Sequence, residues 1–383
     1  MTKNKPLLII ITTGLLDILG LGIILPVLPF IIRGFGLGEN WVGITFATFS
    51  VGMFIGGIVF GRLSDIYGRK RILILTTSLN MIGYLLFFLS GNIFIFLVAR
   101  LLSGLGGSGA SVAQAYIADI SAAKDRTKNM GLFGAMFGIG FTLGPVLGGL
   151  LGGTTLTSLG AISGIVVFLN LLFIIFFLPD IRKKHPESHE ESVMPLDFHH
   201  HKKQIYLLFM TTLITALGFS AMQSTFSLLV SDRFGFSPKM IGYLFGFIGI
   251  MSVIYQGFLI KYVRKVFDEK GMILFGLSCL TFSFVLFANN QYVWSIFPIL
   301  MFFPFGYGSI NPAVGSLHAH YAGREVGKAL GTNASMMSLG NIIGPFISGY
   351  LYLIWSGMPY IFSAGFFMLA AVLVSFGLRR IKR

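Results

Sequence analysis

Twelve long apolar stretches run along this chain of 383 residues, and they constrain its fold more than any other feature. Each approaches or exceeds the roughly 20 residues that an α-helix needs to cross the hydrocarbon core of a bilayer. The runs are continuously apolar, which favours helices over the alternating strands of a membrane barrel. The stretches cover residues 7–32, 41–61, 72–91, 93–118, 129–153, 157–179, 205–231, 240–260, 271–289, 292–317, 327–353 and 358–378.

The composition indicates that lipid is the solvent of this chain. Hydrophobic residues make up 55% and charged residues only 11%, whereas a soluble globular protein has about 25% charged residues. A soluble core cannot hide so much apolar surface, which excludes a soluble enzyme, a DNA-binding domain and a secreted disulfide scaffold. We therefore predict an all-α membrane protein whose main partner is the lipid bilayer.

The basic residues are distributed unevenly between the two sides of the predicted helices. Of the 28 Lys and Arg residues, 24 fall on the side that holds the N-terminus and only Arg33, Arg233 and Lys239 fall on the other. The positive-inside rule then places both termini in the cytoplasm, and we expect a multi-pass protein of the cell (inner) membrane. The net charge of +14 thus follows from topology, and we expect no nucleic-acid partner.

A polar segment divides the twelve stretches into six and six. Residues 181–204 contain two prolines and mixed charges, which indicates a cytoplasmic linker between an N-terminal bundle at 1–180 and a C-terminal bundle at 205–383. The three histidines at 199–201 could hold a metal, but we prefer a solvated polar tract. We expect no metal and no cofactor.

The two halves resemble each other at a shift of 200 residues. Gly144 and Pro145 fall on Gly344 and Pro345, and the flanking glycines are also in register. Both halves begin on the same side, so the repeat is parallel. Two six-helix bundles related in this way are typical of alternating-access transporters with a substrate site between the halves.

Asp17 is the one acidic residue deep within an apolar stretch, since the other 13 lie in loops or at helix ends. An ionised group at that depth is unfavourable, so an intramembrane acid is a functional hypothesis by default. We predict that Asp17 takes up and releases a proton. The alternative is a carboxyl that only hydrogen-bonds its helix to a neighbour.

Arg100 is the one basic residue at similar depth, and it begins a polar, glycine-rich face of the fourth stretch. Spacings of three and four place the members of this face on one side of a helix, where lipid contact would be unfavourable. Arg100 could pair with deprotonated Asp17, or it could be a static cation bound to backbone carbonyls. The face contains Arg100, Gly104, Gly107, Ser111 and Gln114.

Further polar side chains lie in the apolar stretches of the second half. They are uncharged amides or aromatic groups, which together would suit an amphipathic, partly aromatic substrate, although for each one taken individually we prefer hydrogen bonding between helices. With Gln114, the candidates for a substrate cavity are Gln223, Tyr255, Gln256, Asn311, Asn333 and Asn341.

The loop after the second stretch carries the most specific motif. Residues 61–71 read GRLSDIYGRKR and resemble the GxLaDrxGrkxxl signature of the major facilitator superfamily. The resemblance implies a twelve-helix transporter in which this loop is a conformational latch rather than a substrate site. The implied latch residues are Gly61, Asp65, Gly68, Arg69 and Arg71.

A second motif lies in the fifth stretch, where residues 144–149 read GPVLGG and resemble the antiporter motif of drug/proton exporters. The resemblance assigns Gly144, Pro145, Gly148 and Gly149 to close helix packing and to a kink that seals the outer gate.

The segment that follows Asp17 is similar to the first helix of the tetracycline/proton antiporters. That similarity implies proton-coupled export of small amphipathic molecules, with Asp17 and Arg100 as the coupling pair. Tetracycline exporters carry further aspartates in their third and ninth helices, where this sequence has none. We therefore expect an amphipathic cationic or neutral aromatic substrate, and we expect that tetracycline is not the best one.

Three other functions are compatible with a chain of this kind to different degrees. A metabolite/proton symporter is disfavoured by the antiporter motif, whereas a lipid or lipid-linked flippase remains compatible with the apolar second half. We expect no enzymatic activity, because the apolar stretches contain no nucleophile–base set and the chain has no GxxxxGK phosphate loop. The expected transporter is a monomer driven by the proton gradient.

Overall fold

The computed structural model describes residues 5–122, 125–152, 156–180, 201–322 and 326–378. Within these ranges the chain forms α-helices, one π-helical turn and one short 3-10 turn, and no strand. Twelve helices or continuous helix segments are long and apolar enough to cross a membrane. The prediction of an all-α protein with twelve transmembrane helices is confirmed.

The first half begins with a helix that is interrupted by prolines. The predicted stretch 7–32 breaks after α1, because Pro26 and Pro29 lack the N–H groups that a continuing helix needs. The stretch predicted at 93–118 also divides, at Ser108 in a glycine-rich run. The helices are α1 Lys5–Ile24, α2 Leu28–Gly34, α3 Asn40–Tyr67, α4 Arg69–Phe88, α5 Ile93–Gly107, α6 Gly109–Ile120, α7 Arg126–Leu151 and α8 Leu156–Phe177.

The second half begins at Lys202, three residues before the predicted start of its bundle. A π-helical turn at Tyr255–Leu259 joins α10 to α11, and a 3-10 turn at Val293–Ser295 precedes α13. The helices are α9 Lys202–Phe234, α10 Pro238–Ile254, α11 Ile260–Val266, α12 Glu269–Asn289, α13 Ile296–Ala322, α14 Val326–Ile354 and α15 Met358–Gly377.

The chain forms two compact units that follow the two halves closely. The first unit holds α1 to α8 apart from residues 42–44, together with residues 236–246, which include the start of α10, and the second holds the rest of the described helices. Residues 181–200 lie outside the described residues, so the predicted linker and its boundaries stay a prediction.

Each unit packs its helices in the same pairs, as expected for a parallel repeat. In the first unit α7 packs on α1 and α4 packs on α5 and α8; in the second α14 packs on α9 and α12 packs on α13 and α15. The contact positions also correspond. A Cβ atom added to Gly140 would lie 2.8 Å from Ile18, and one added to Gly340 would lie 2.9 Å from Leu217, which follows Ile18 by 199 positions.

Candidate functional site

Asp17 lies in the middle of α1 with a neutral amide as its hydrogen-bond partner. Asn170 on α8 donates from Nδ2 to Asp17 Oδ1 at 3.0 Å, and the same nitrogen reaches the backbone oxygen of Thr13 at 3.4 Å. Asn170 is fully buried, whereas Asp17 is half-buried. The carboxyl group is therefore held by the bundle, although the residue as a whole is only half-buried.

Arg100 is buried on α5 but does not pair with Asp17. Its guanidinium carbon lies 4.6 Å from the centre of the Phe49 ring, and its Nε and Nη1 atoms have no hydrogen-bond partner in the described part of the chain. A cation over an aromatic face is stabilised by the ring quadrupole. The alternative was a static Arg100 bound to backbone carbonyls. Nε and Nη1 make no such bond in the described part of the chain.

Tyr84 on α4 interacts with both charged candidates. Its hydroxyl group would lie 3.1 Å from a Cβ atom added to Gly20, which places it against α1 close to Asp17. The Tyr84 side chain is buried and interacts electrostatically with both Arg100 and Asp17. Asp17, Asn170, Tyr84 and Arg100 thus form a polar cluster within the first unit, which we call the Asp17 cluster.

The latch motif forms a tight turn with Arg69 at its centre. α3 ends at Tyr67 and α4 begins at Arg69, so Gly68 alone turns the chain, with φ of +96°, a conformation that favours glycine. The Arg69 guanidinium donates to Ser64 Oγ and to Asp65 Oδ1 on α3, and its Nε donates to Asp119 Oδ2 on α6 at 3.0 Å.

The remaining latch residues are more open. Gly61 has no atom within 4 Å of an added Cβ atom, and the side chain of Arg71 is exposed. All three side chains that Arg69 contacts belong to the first unit. The described contacts of the motif therefore join α3, α4 and α6 of one bundle.

The predicted antiporter motif is buried in α7, where its glycines permit very close helix packing. A Cβ atom added to Gly148 would lie 2.0 Å from the backbone oxygen of Ile23, and one added to Gly144 would lie 2.7 Å from Gly22. Gly149 approaches residues of the α10 segment that belongs to the same unit. Pro145 lies inside the helix, as the kink hypothesis requires.

The structure separates the substrate-cavity candidates into two groups. Gln114, Gln256 and Asn311 are exposed, and Gln223 and Asn341 are half-buried. An exposed amide within a membrane span is unfavourable in lipid. These five positions therefore remain candidates for a water-filled substrate cavity.

Tyr255 and Asn333 are instead occupied by hydrogen bonds inside the second unit. The buried Tyr255 hydroxyl pairs with Ser309 Oγ. Asn333 Oδ1 accepts from Thr212 Oγ1 at 2.6 Å and lies 3.0 Å from His318 Nε2. These contacts favour the alternative interpretation, hydrogen bonding between helices, at both positions.

Comparison with known protein families shows which family has this sequence pattern and fold. The sequence profile of the Major Facilitator Superfamily matches residues 10–326 and again residues 272–383.

The chain belongs to the major facilitator superfamily.

The bacterial members of the superfamily that resemble this chain include drug-resistance proteins. It is 28% identical over 374 residues to quinolone resistance protein NorA of Staphylococcus aureus (strain MSSA476), an alignment that covers 97% of this chain and 96% of NorA. It is 28% identical to multidrug resistance protein 2 of Bacillus subtilis, covering 97% and 94%. It is 30% identical to the class C tetracycline resistance protein of Escherichia coli, covering 96% of each chain.

Solved structures of other superfamily transporters share the fold. The nucleoside transporter NupG aligns with a TM-score of 0.80 at 13% identity, over 98% of this chain and 100% of that one. A D-xylose–proton symporter aligns with a TM-score of 0.79 at 18% identity, over 98% and 97%. These similarities support the fold. At such low identity they give no information about the substrate of this chain.

Sequence reasoning did not assign three polar residues that the structure brings to the major facilitator motifs. Asn170 and Tyr84 join Asp17, and Asp119 joins the latch residue Arg69. A signal existed for Asn170, because an amide in the middle of an apolar stretch is unusual. No sequence signal paired Asp119 with Arg69, since the two residues are 50 positions apart.

Proposed function

We propose that this protein is a proton-coupled secondary transporter that exports amphipathic, drug-like compounds by alternating access. The observation that carries the proposal is the carboxyl group of the half-buried Asp17, which lies within α1 of a twelve-helix transporter fold and accepts a hydrogen bond from the neutral amide of Asn170 on α8. An acid in such a position is the kind of group that proton-driven transporters use as a relay.

The relatives support the direction of transport and the class of substrate. Three drug-resistance proteins from three bacterial species align over nearly the whole chain. Their names differ in the compound, namely quinolones, multiple drugs and tetracycline, but agree on resistance. We infer that this chain also moves small foreign compounds out of the cell.

The placement of basic residues supports the orientation in the membrane. With 24 of 28 Lys and Arg residues on one side of the predicted spans, both termini are proposed to lie in the cytoplasm. The protein is proposed to reside in the inner membrane and to change the location of its substrate without chemical reaction.

Uptake into inverted membrane vesicles tests the proposed function. A fluorescent amphipathic cation is added, the vesicle interior is acidified by respiration, and both dye accumulation and proton release are followed. We expect dye uptake to collapse when the proton gradient is dissipated and to be absent in vesicles that carry Asp17→Asn. Dye uptake that persists without a gradient, or lipid flipping without any dye transport, would contradict the proposal.

A further inference from the structure

We propose that Asn170 is a positioning residue that orients the carboxyl group of Asp17 and favours its deprotonated form, so that this amide sets the pH range over which Asp17 exchanges protons. The inference deepens the proposed function and rests on it for the link to transport. The hydrogen bond itself can be tested without any transport.

The geometry fixes Asn170 as a donor toward Asp17. Its Nδ2 atom contacts Asp17 Oδ1 at 3.0 Å and the backbone oxygen of Thr13 at 3.4 Å. A backbone oxygen can only accept a hydrogen bond, so this second contact identifies the end of the amide that carries the hydrogens. The partner of Asp17 is thus an N–H group, which pairs best with an ionised carboxylate.

Burial makes this donor specific to Asp17. Asn170 is 0% exposed, and its Oδ1 atom has no hydrogen-bond partner among the described residues. Every hydrogen bond that the Asn170 side chain makes in the described part of the chain therefore goes to α1. A buried amide whose oxygen has no hydrogen-bond partner is unfavourable by itself. The presence of Asn170 in the middle of α8 is therefore best explained by the hydrogen bond that its Nδ2 atom donates to Asp17.

Few other groups compete for control of Asp17. α8 carries no ionisable residue between Leu156 and Phe177, and α7 carries its ionisable residues only in the first turn. On α6, Tyr116 is bonded to the backbone oxygen of Pro179 and Asp119 to Arg69. Among the described residues of the first unit, the titratable and charged groups left to face Asp17 are Tyr84 on α4 and, through it, Arg100 on α5.

The two helices give the hydrogen bond a coupling function. Asp17 belongs to α1 and Asn170 to α8, so a relative shift of these helices lengthens the bond and removes the stabilisation of the carboxylate. Proton affinity would then depend on helix position, and by reciprocity protonation would favour the shifted arrangement. This is the relationship that a proton-driven transport cycle requires.

Infrared difference spectroscopy of the full-length protein in lipid nanodiscs tests the proposal directly. The protonated-carboxyl band that Asp17→Asn abolishes is followed as a function of pH in the unaltered protein and in Asn170→Leu, which keeps the size of the side chain and removes the donor. We expect the midpoint to rise by about one pH unit, because a hydrogen bond to a charged acceptor is lost. Asn170→Gln, which retains an amide, should move the midpoint less.

Ser163→Ala is the matched control, because Ser163 lies on the same helix, is fully buried and has a hydroxyl without a partner among the described residues. It should leave the midpoint unchanged. If Asn170→Leu does not fold, Asn170→Ala should give the same upward shift. A midpoint that stays constant in a folded Asn170 variant overturns the proposal.

Transport measurements distinguish a failure of this inference from a failure of the proposed function. In inverted vesicles, the pH profile of proton-driven uptake by the Asn170 variant should move upward together with the infrared midpoint. Absence of proton-driven uptake in the unaltered protein would reject the proposed function, while an infrared shift would still support the role of Asn170. A uniform loss of uptake with an unmoved profile would indicate a merely structural amide and overturn the inference.

Discussion

Arg69 Nε on α4 lies 3.0 Å from Asp119 Oδ2 on α6, so an ion pair joins two segments that are 50 residues apart. Both side chains are shielded, at 14% and 11% exposure. The second carboxylate that contacts Arg69, Asp65, lies four residues before it and is 66% exposed. The two carboxylates of the latch therefore differ greatly in their access to water.

Asp119→Asn should impair the transport cycle more than Asp65→Asn. Exposed ion pairs contribute about 0–1 kcal/mol, whereas loss of the shielded Asp119 carboxylate leaves the shielded Arg69 with only the exposed Asp65 as a charged partner. We expect a several-fold lower uptake rate for the Asp119 variant and a smaller change for the Asp65 variant. Initial rates in vesicles and equilibrium binding of the same dye provide the two measurements.

The substrate affinity of both latch variants should stay close to that of the unaltered protein, because the latch lies at a helix end and the cavity candidates lie elsewhere. Arg62→Ala, an exposed position in the same motif, is the control for nonspecific effects. A greater loss of uptake rate in Asp65→Asn than in Asp119→Asn would show that burial does not determine how much each carboxylate contributes to the transport cycle.

Asp17→Asn should abolish proton-coupled transport while the protein still inserts and folds. The substitution keeps the size of the side chain and an acceptor oxygen for the Asn170 amide, but it removes the group that can lose a proton. Size-exclusion profiles and thermal unfolding should match the unaltered protein, whereas acid-driven uptake should fall to background. Normal uptake by this variant would reject Asp17 as the coupling residue.

Gly148→Ala should lower the stability of the first unit. The added Cβ atom would meet the backbone oxygen of Ile23 at 2.0 Å, so α7 must move away from α1. Overpacking of this kind costs about 1–3 kcal/mol. Gly134→Ala on the same helix is the matched control, since no atom lies within 4 Å of its added Cβ atom. Equal unfolding temperatures for the two variants would contradict the packing argument.

Asn333→Leu and Asn341→Leu should have different effects, although both positions were predicted from sequence to line a substrate cavity. The Asn333 variant leaves Thr212 and His318 without their shared acceptor, and an unsatisfied buried polar group costs about 1–3 kcal/mol. We expect it to unfold at a lower temperature. The half-buried Asn341 should affect stability less and, if it lines the cavity, should alter dye affinity.

Tetracycline should not be the best substrate of this protein. Asp17 is the single deep carboxylate in the sequence, so the further membrane aspartates of tetracycline exporters have no counterpart. A pump-deficient bacterium that expresses the protein should gain resistance to amphipathic cations or neutral aromatic compounds. Resistance restricted to tetracyclines would overturn this prediction, and the 30% identity with a class C tetracycline resistance protein makes the comparison necessary.

The sequence by itself determined the solvent, the number of spans and the family. Continuous apolar runs predict membrane helices because a backbone in hydrocarbon must satisfy its own hydrogen bonds, and this requirement acts locally. The motif around Asp65 and Arg69 identified the superfamily from one short loop. Sequence also found Asp17 and Arg100, because any charged residue at that depth stands out against apolar neighbours.

Only the tertiary structure decided which polar groups meet. Asn170 follows Asp17 by 153 positions, and Asp119 follows Arg69 by 50, so their pairing depends on which helices pack together and on their rotation. The same rotation turned Asn333 into the bundle, and it placed Arg100 on Phe49 rather than on Asp17. A hydrogen bond or ion pair needs contact within a few ångströms, and a sequence records the order of residues but not the faces that its helices turn toward one another.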